Sequence, residues 1–145
     1  VDYALSCAIR VAERYGSNEP VNVRQIAGKE KLAMDYVEQL LIVMKRAGIL
    51  KSVRGKGGGY VLAASPDKIS AKDIVEAIDK NILEPVCFRK KGRQNKCCHS
   101  YDCKIRGFWM GLKDEMEDFM DDYTLEKLLI LRKKESLPAG RQGGG

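Results

Sequence analysis

Six residues, Arg54-Gly55-Lys56-Gly57-Gly58-Gly59, place four glycines and two cations between two short β-prone runs, residues 49–53 and 60–63. Glycine supplies the backbone conformations a tight reversal needs. Such a segment, flanked by β-branched and aromatic residues, reads as the tip of an antiparallel hairpin. It does not read as a nucleotide-phosphate loop. No Ser or Thr follows the Gly-Lys pair, and a strand rather than a helix comes next.

Helices precede the hairpin. Residues 3–15 place Ala4, Leu5, Ala8, Ile9, Val11, Ala12 and Tyr15 at helical spacing. Gly16-Ser17-Asn18 and then Pro20 end that helix. A short helix is expected over 23–30, with Val23, Ile26 and Ala27 on one face. A third is expected over 34–46, with Val37, Leu40, Leu41 and Met44 inward and Ala47-Gly48 as its stop. Helix, short helix, turn, helix and basic hairpin is the order of a winged helix-turn-helix. Its helix fits a major groove, and its wing can approach phosphates or a minor groove. Lys+Arg exceed Asp+Glu by 26 to 20, a surplus that suits a polyanion without proving one.

Beyond the hairpin, Ser70 is a good N-cap for a helix over 71–79. Residues 81–102 show no periodicity and read as a loop. Ile105, Phe108, Trp109, Leu112, Met116, Phe119, Met120 and Tyr123 then recur at three and four residues, giving a long amphipathic helix that forms core or a dimer interface. A short helix over 124–132 follows, and the tail 137–145 is expected to fray. The expected fold is mainly α with a small β-hairpin wing. The expected domains are a winged helix-turn-helix over 1–80, a cysteine-rich loop over 81–103, dimerisation helices over 104–134 and a disordered tail over 135–145.

The loop carries the chemistry. Cys87, Cys97, Cys98 and Cys103 give C-x9-C-C-x4-C, and the fifth cysteine, Cys7, sits in a helical apolar pattern as a small buried hydrophobe. An odd number of cysteines without a secretory signal argues against a disulfide framework and for a reduced, cytoplasmic setting. The opening Val1-Asp2-Tyr3-Ala4-Leu5 has no basic leader or continuous apolar stretch, and a few native residues are expected to precede it. No apolar run is long enough to span a membrane. Structural zinc favours paired C-x2-C knuckles, which are absent. Thiolates on irregular backbone suit an iron–sulfur cluster, and His99, the one histidine, lies among them as a rival ligand.

The segments Asp35-Tyr36-Val37-Glu38-Gln39-Leu40 and Ala47-Gly48-Ile49-Leu50-Lys51-Ser52-Val53-Arg54-Gly55-Lys56-Gly57-Gly58-Gly59-Tyr60-Val61-Leu62 resemble the signature of the IscR/NsrR/CymR family (Rrf-two type) of bacterial transcriptional regulators. The resemblance runs from Asp2 through Leu125. It implies a homodimer whose long C-terminal helix crosses its twin and which binds a pseudo-palindromic operator in double-stranded DNA. It also implies DNA contacts from Asp35, Tyr36, Glu38 and Gln39 of a recognition helix and from Arg54, Gly55 and Lys56 of the wing.

Family members with clusters carry three cysteines in this loop, the last two separated by five residues. Cys87, Cys97 and Cys103 match that pattern, with Cys98 an extra thiol or a substitute for Cys97. The implied cofactor is therefore an iron–sulfur cluster, 2Fe–2S or 4Fe–4S. In the iron–sulfur-biogenesis members a His follows the third Cys by three residues, and here that position is Arg106. In the nitric-oxide-sensing members the partner subunit donates an Asp from its first helix, and Asp2 matches that position. A second departure is Ala33, where a Ser-like cap is expected. The alternatives are a metal-free regulator of sulfur or cysteine metabolism, an iron–sulfur electron carrier and a thiol enzyme. An electron carrier does not explain a recognition helix and wing. An enzyme needs a base and a pocket, for which one loop His is poor support.

Overall fold

A computed structural model describes residues 1–17, 19–82 and 103–131. The elements run α1 (Asp2–Ala12), α2 (Val23–Glu30), α3 (Met34–Arg46), β1 (Leu50–Val53), β2 (Gly59–Leu62), a 3-10 turn over Pro66–Lys68, α4 (Ala71–Ile78), α5 (Arg106–Asp122) and α6 (Leu125–Leu131).

Each helix is where its apolar spacing places it, and the ends are set by local chemistry. α1 stops at Ala12, earlier than periodicity suggests. The N–H groups of Arg14 and Tyr15 reach back only three residues, to Val11 and Ala12, which tightens the chain before Gly16 turns it at φ 92°. α2 is closed by a reciprocal cap. The Asn22 side chain accepts from the Gln25 N–H at 2.9 Å, and the Gln25 side chain accepts from the Asn22 N–H at 3.1 Å. α3 starts at Ala33 with no side-chain cap and ends before Gly48, whose φ is 78°. Ser70 caps α4 and accepts from the Asp73 N–H at 3.2 Å, while Asp73 accepts from the Ser70 N–H at 2.8 Å.

α1 is the central helix of the core. Its Ala4, Cys7, Ala8 and Val11 are buried among Ile26 of α2, Val37, Leu41 and Met44 of α3, Leu50 and Leu62 of the wing, Ile74 of α4 and Leu125 of α6. Burial, and secondarily the charge of Glu30, pushes the Cys7 thiol up to about 11, so it stays protonated and inert at neutral pH. Arg10 of α1 pairs with both Glu13 and Glu30, tying α1 to α2 at the rim.

β1 and β2 pair antiparallel, Leu50 opposite Leu62 and Val53 opposite Gly59. The pair has a third edge that the sequence does not announce. Val21 and Tyr60 exchange backbone hydrogen bonds at 2.9 and 2.8 Å, so the loop before α2 is stitched to the wing. Gly59 permits that approach, because a Cβ there would stand 2.5 Å from the Val21 carbonyl oxygen and 2.9 Å from the Asn22 nitrogen. Both are backbone atoms with little room to move. Gly59→Ala should therefore lower stability by about 1–3 kcal/mol through overpacking. It should also speed amide exchange at Val21 and Tyr60. Unchanged exchange at both amides, with an unchanged melting temperature, would contradict the close approach.

α5 is different. None of its residues is buried, and Ile105, Phe108, Leu112, Met116 and Phe119 along the expected stripe are all exposed in a single chain. Its C-terminal end is nevertheless fixed to α4. The Ser70 hydroxyl donates to Asp121 at 3.1 Å, the Ala71 N–H donates to the Tyr123 carbonyl at 2.7 Å and Lys72 lies 3.7 Å from Glu117. Lys113 also hydrogen-bonds Glu117, which, together with Lys72, holds that carboxyl below its ordinary range. α6 then folds back onto α1 and seals the core with Leu125, whose N–H donates to the Ile69 carbonyl at 2.8 Å.

Candidate nucleic-acid interface and cysteine site

α3 turns Val37, Leu40, Leu41 and Met44 into the core. Helical geometry then leaves Asp35, Tyr36, Glu38 and Gln39 outward, and all four are exposed. These are short or planar side chains in the first two turns, the part of a recognition helix that reaches base edges. Glu38 can accept from cytosine N4, and Gln39 can bond adenine in two places.

The wing stands beside α3. β1 packs against α3, and Tyr60 of β2 is close enough to Glu38 for its carboxylate, after burial, to raise the Tyr60 phenol. At the wing tip Gly55 and Gly57 adopt φ of 107° and 82°, and the Gly58 N–H closes the turn on the Gly55 carbonyl at 2.9 Å. A Cβ at Gly58 would meet the Val53 carbonyl oxygen at 2.3 Å, so the tip is a bare backbone reversal. Arg54, Gly55 and Lys56 are all exposed on it. The structure thus brings α3 and the wing together on one part of the molecule.

The cysteine site is described only at its ends. Cys103 is a free, half-exposed thiol three residues before α5, and Asp2 is exposed in the first turn of α1. Cys87, Cys97, Cys98 and His99 lie outside the described residues, as does most of the loop over 81–103. Among the described residues no three metal-ligating side chains converge. Three thiolates with a carboxylate, the set expected from the sequence, would suit an iron–sulfur cluster with one weakly held iron.

Two structural features of this region are absent from the sequence reading. One is the Asn22–Gln25 cap, legible in the Asn-x-x-Gln spacing. The other is Tyr3 of α1, whose ring meets Tyr36 of α3 edge to face with centroids 5.9 Å apart.

Helices packed around α1, with the exposed face of α3 near a glycine-tipped basic wing, define a winged helix-turn-helix protein. Residues 1–130 match the Rrf2 family, described as an iron-dependent transcriptional regulator, and the chain belongs to that family. It is similar to the HTH-type regulator CymR of Bacillus subtilis (strain 168), 33% identical over 126 residues, 87% of this chain and 83% of that one. The solved structure of that protein, titled the global cysteine regulator of B. subtilis, superposes with a TM-score of 0.70 at 30% identity, covering 90% and 92% of the two chains.

The chain is equally similar to the HTH-type regulator IscR of Aliivibrio salmonicida (strain LFI1238), 30% identical over 128 residues, 88% of this chain and 73% of that one. The structure of T. potens IscR gives a TM-score of 0.71 at 28% identity, covering 96% and 89%. The protein is a dimeric DNA-binding regulator of transcription, not an enzyme. No helix among the described residues is long and apolar enough to cross a membrane.

Proposed function

We propose that this regulator reads a pseudo-palindromic operator with two copies of α3 and the wing, and that an iron–sulfur cluster sets its affinity for that operator. The observation that carries the DNA reading is that Glu38 and Gln39 are exposed on a helix that packs on the wing, whose glycine-tipped turn exposes Arg54. Two recognition helices in a dimer sit about one DNA turn apart, hence the palindrome. The apolar face of α5, uncovered in one chain, is the proposed dimer surface, and its Trp109 and Phe119 offer large apolar area to a twin.

Cys87, Cys97 and Cys103 would hold the cluster in the cytoplasm, with the partner subunit's Asp2 as the fourth ligand and Cys98 or His99 as substitutes. Support for the cluster is the cysteine spacing, the family's description as iron-dependent and the likeness to IscR. When bound, a cluster supplies a site that oxygen, nitric oxide or loss of iron can alter. The chain's own part is mechanical. Cys103 lies just before the N-terminal end of α5, and Ser70, Ala71 and Lys72 clamp the other end to the winged helix. The likeness to the global cysteine regulator favours a second reading, a metal-free regulator responding through thiols or a partner.

The DNA reading is tested by titrating a footprinted operator. Arg54→Ala should weaken binding by about 1–3 kcal/mol if the guanidinium reads a base edge or a narrow groove. A folded variant that binds the operator as tightly as wild type at physiological salt removes Arg54 from the interface.

A further inference from the structure

Residues that touch DNA must be held by residues that do not, and the first turn of α3 has no side-chain cap to hold it. Asp35 and Tyr36 lie in that turn, followed by Glu38 and Gln39. A helix start exposes four backbone N–H groups, and a capping side chain normally satisfies one of them and fixes the entry angle. α2 and α4 have complete reciprocal caps, whereas α3, like α1 and α5, starts without a side-chain cap. A missing cap weakens a helix start, and loosening there would misplace the side chains that must meet base edges.

Tyr3 supplies the missing restraint. α1 is the rigid element, with Ala4, Cys7 and Ala8 fully buried in the core. Tyr3 projects from its first turn and meets Tyr36 with ring planes at 86°, the edge-to-face geometry that aromatic quadrupoles favour. Tyr3 is 50% exposed and Tyr36 43%, so the pair is not core packing. One ring presents its edge to the face of the other, and both stay in part open to solvent.

We infer that Tyr3 is a positioning residue for DNA recognition: its ring fixes Tyr36, and with it the uncapped first turn of α3, in the orientation that reads the operator. The inference rests on α3 being the reading helix. It adds a residue of α1 to the determinants of specificity without giving it a DNA contact. Losing the restraint leaves the backbone-directed, salt-dependent attraction of the wing intact and removes part of the sequence-dependent contribution.

The test uses the full chain, purified anaerobically with iron content matched between variants. Its affinity is measured for the footprinted operator and for a non-operator duplex of equal length. Tyr3→Ala should weaken operator binding about three- to tenfold, as expected for one aromatic pair. It should leave non-operator binding unchanged, so the specificity ratio falls by the same factor. Tyr3→Phe, which keeps the ring, should restore wild-type binding. On a Tyr36→Ala background, Tyr3→Ala should have no further effect.

Equal losses on both duplexes, full additivity with Tyr36→Ala, or failure of Tyr3→Phe to restore binding overturns the positioning role. Gln39→Ala separates the two levels. If Gln39→Ala weakens operator binding and Tyr3→Ala does not, Tyr3 is no positioning residue and α3 still reads DNA. If neither variant changes operator affinity, the reading of α3 fails, and the role of Tyr3 with it.

Discussion

Cys103→Ser should leave the anaerobically purified protein with roughly a tenth or less of the wild-type iron and sulfide per chain. A serine hydroxyl stays protonated near neutral pH and is a poor substitute for the thiolate that iron–sulfur clusters require. The fold should not notice. Cys103 is half-exposed, lies outside the core and precedes α5 by three residues. Substitution at such a position stays within about 0.5 kcal/mol. The variant should therefore melt with wild type, remain dimeric and bind the operator with an affinity that no longer depends on iron. Wild-type iron and sulfide in the variant would show that Cys103 is not a ligand. Cys7→Ser is the matching control for a thiol outside the site. Its sulfur is buried and protonated, so its loss should change stability and leave iron unchanged.

Leu125→Ala should be the most damaging substitution outside the cysteine site. Leu125 is fully buried and joins the core that α1 organises, although it belongs to the last described helix. Truncating such a leucine costs about 2–5 kcal/mol, the lost transfer energy plus the cavity. For a chain of this size that is a fall in melting temperature on the order of 10 °C. The consequence reaches beyond stability. α6 follows directly on α5, and the Leu125 N–H bond to Ile69 lies beside the clamp between Ser70 and Asp121. Loosening α6 should weaken the link between α5, with the proposed cluster site at its start, and the winged helix, as well as the core. A melting temperature within about 2 °C of wild type would contradict the placement of Leu125 in the core.

The winged helix was legible because its signals are local. The 3.6-residue spacing of Val37, Leu40, Leu41 and Met44 assigns both the buried face of α3 and, by subtraction, the exposed Glu38 and Gln39. Gly48, Gly55 and Gly57 mark turns, and all three have positive φ. Ser70 followed by Asp73 reads as a cap and is one. What escaped were contacts made across the fold. The end of α1 at Ala12 depends on hydrogen bonds that shorten before a glycine, which apolar spacing does not encode. Val21 pairs with Tyr60 through a single bridge, too short to leave an alternating pattern. The Tyr3–Tyr36 contact joins residues far apart in sequence whose exposure looks unremarkable.

The α5 stripe was legible as an apolar face, but periodicity does not say what covers it. In one chain Phe108, Phe119 and their neighbours stay exposed. The cysteine spacing was legible in the same limited sense. It names three matching thiolates and a family, but the fourth position is contested by Asp2, Cys98 and His99, of which only Asp2 lies among the described residues.

If a bound cluster sets operator affinity, removing its iron must change that affinity. The measurement that tests it is a titration of the operator with anaerobically purified wild-type protein, before and after the iron is removed by chelation, with iron and sulfide counted in both samples. A coloured protein with iron and sulfide in stoichiometric amounts is expected. The operator affinity should shift by about 5- to 150-fold on iron removal, the ordinary range of coupling between two sites. A colourless protein without sulfide, binding the operator equally well before and after chelation, would contradict control by a cluster and leave the metal-free regulator as the function of this chain.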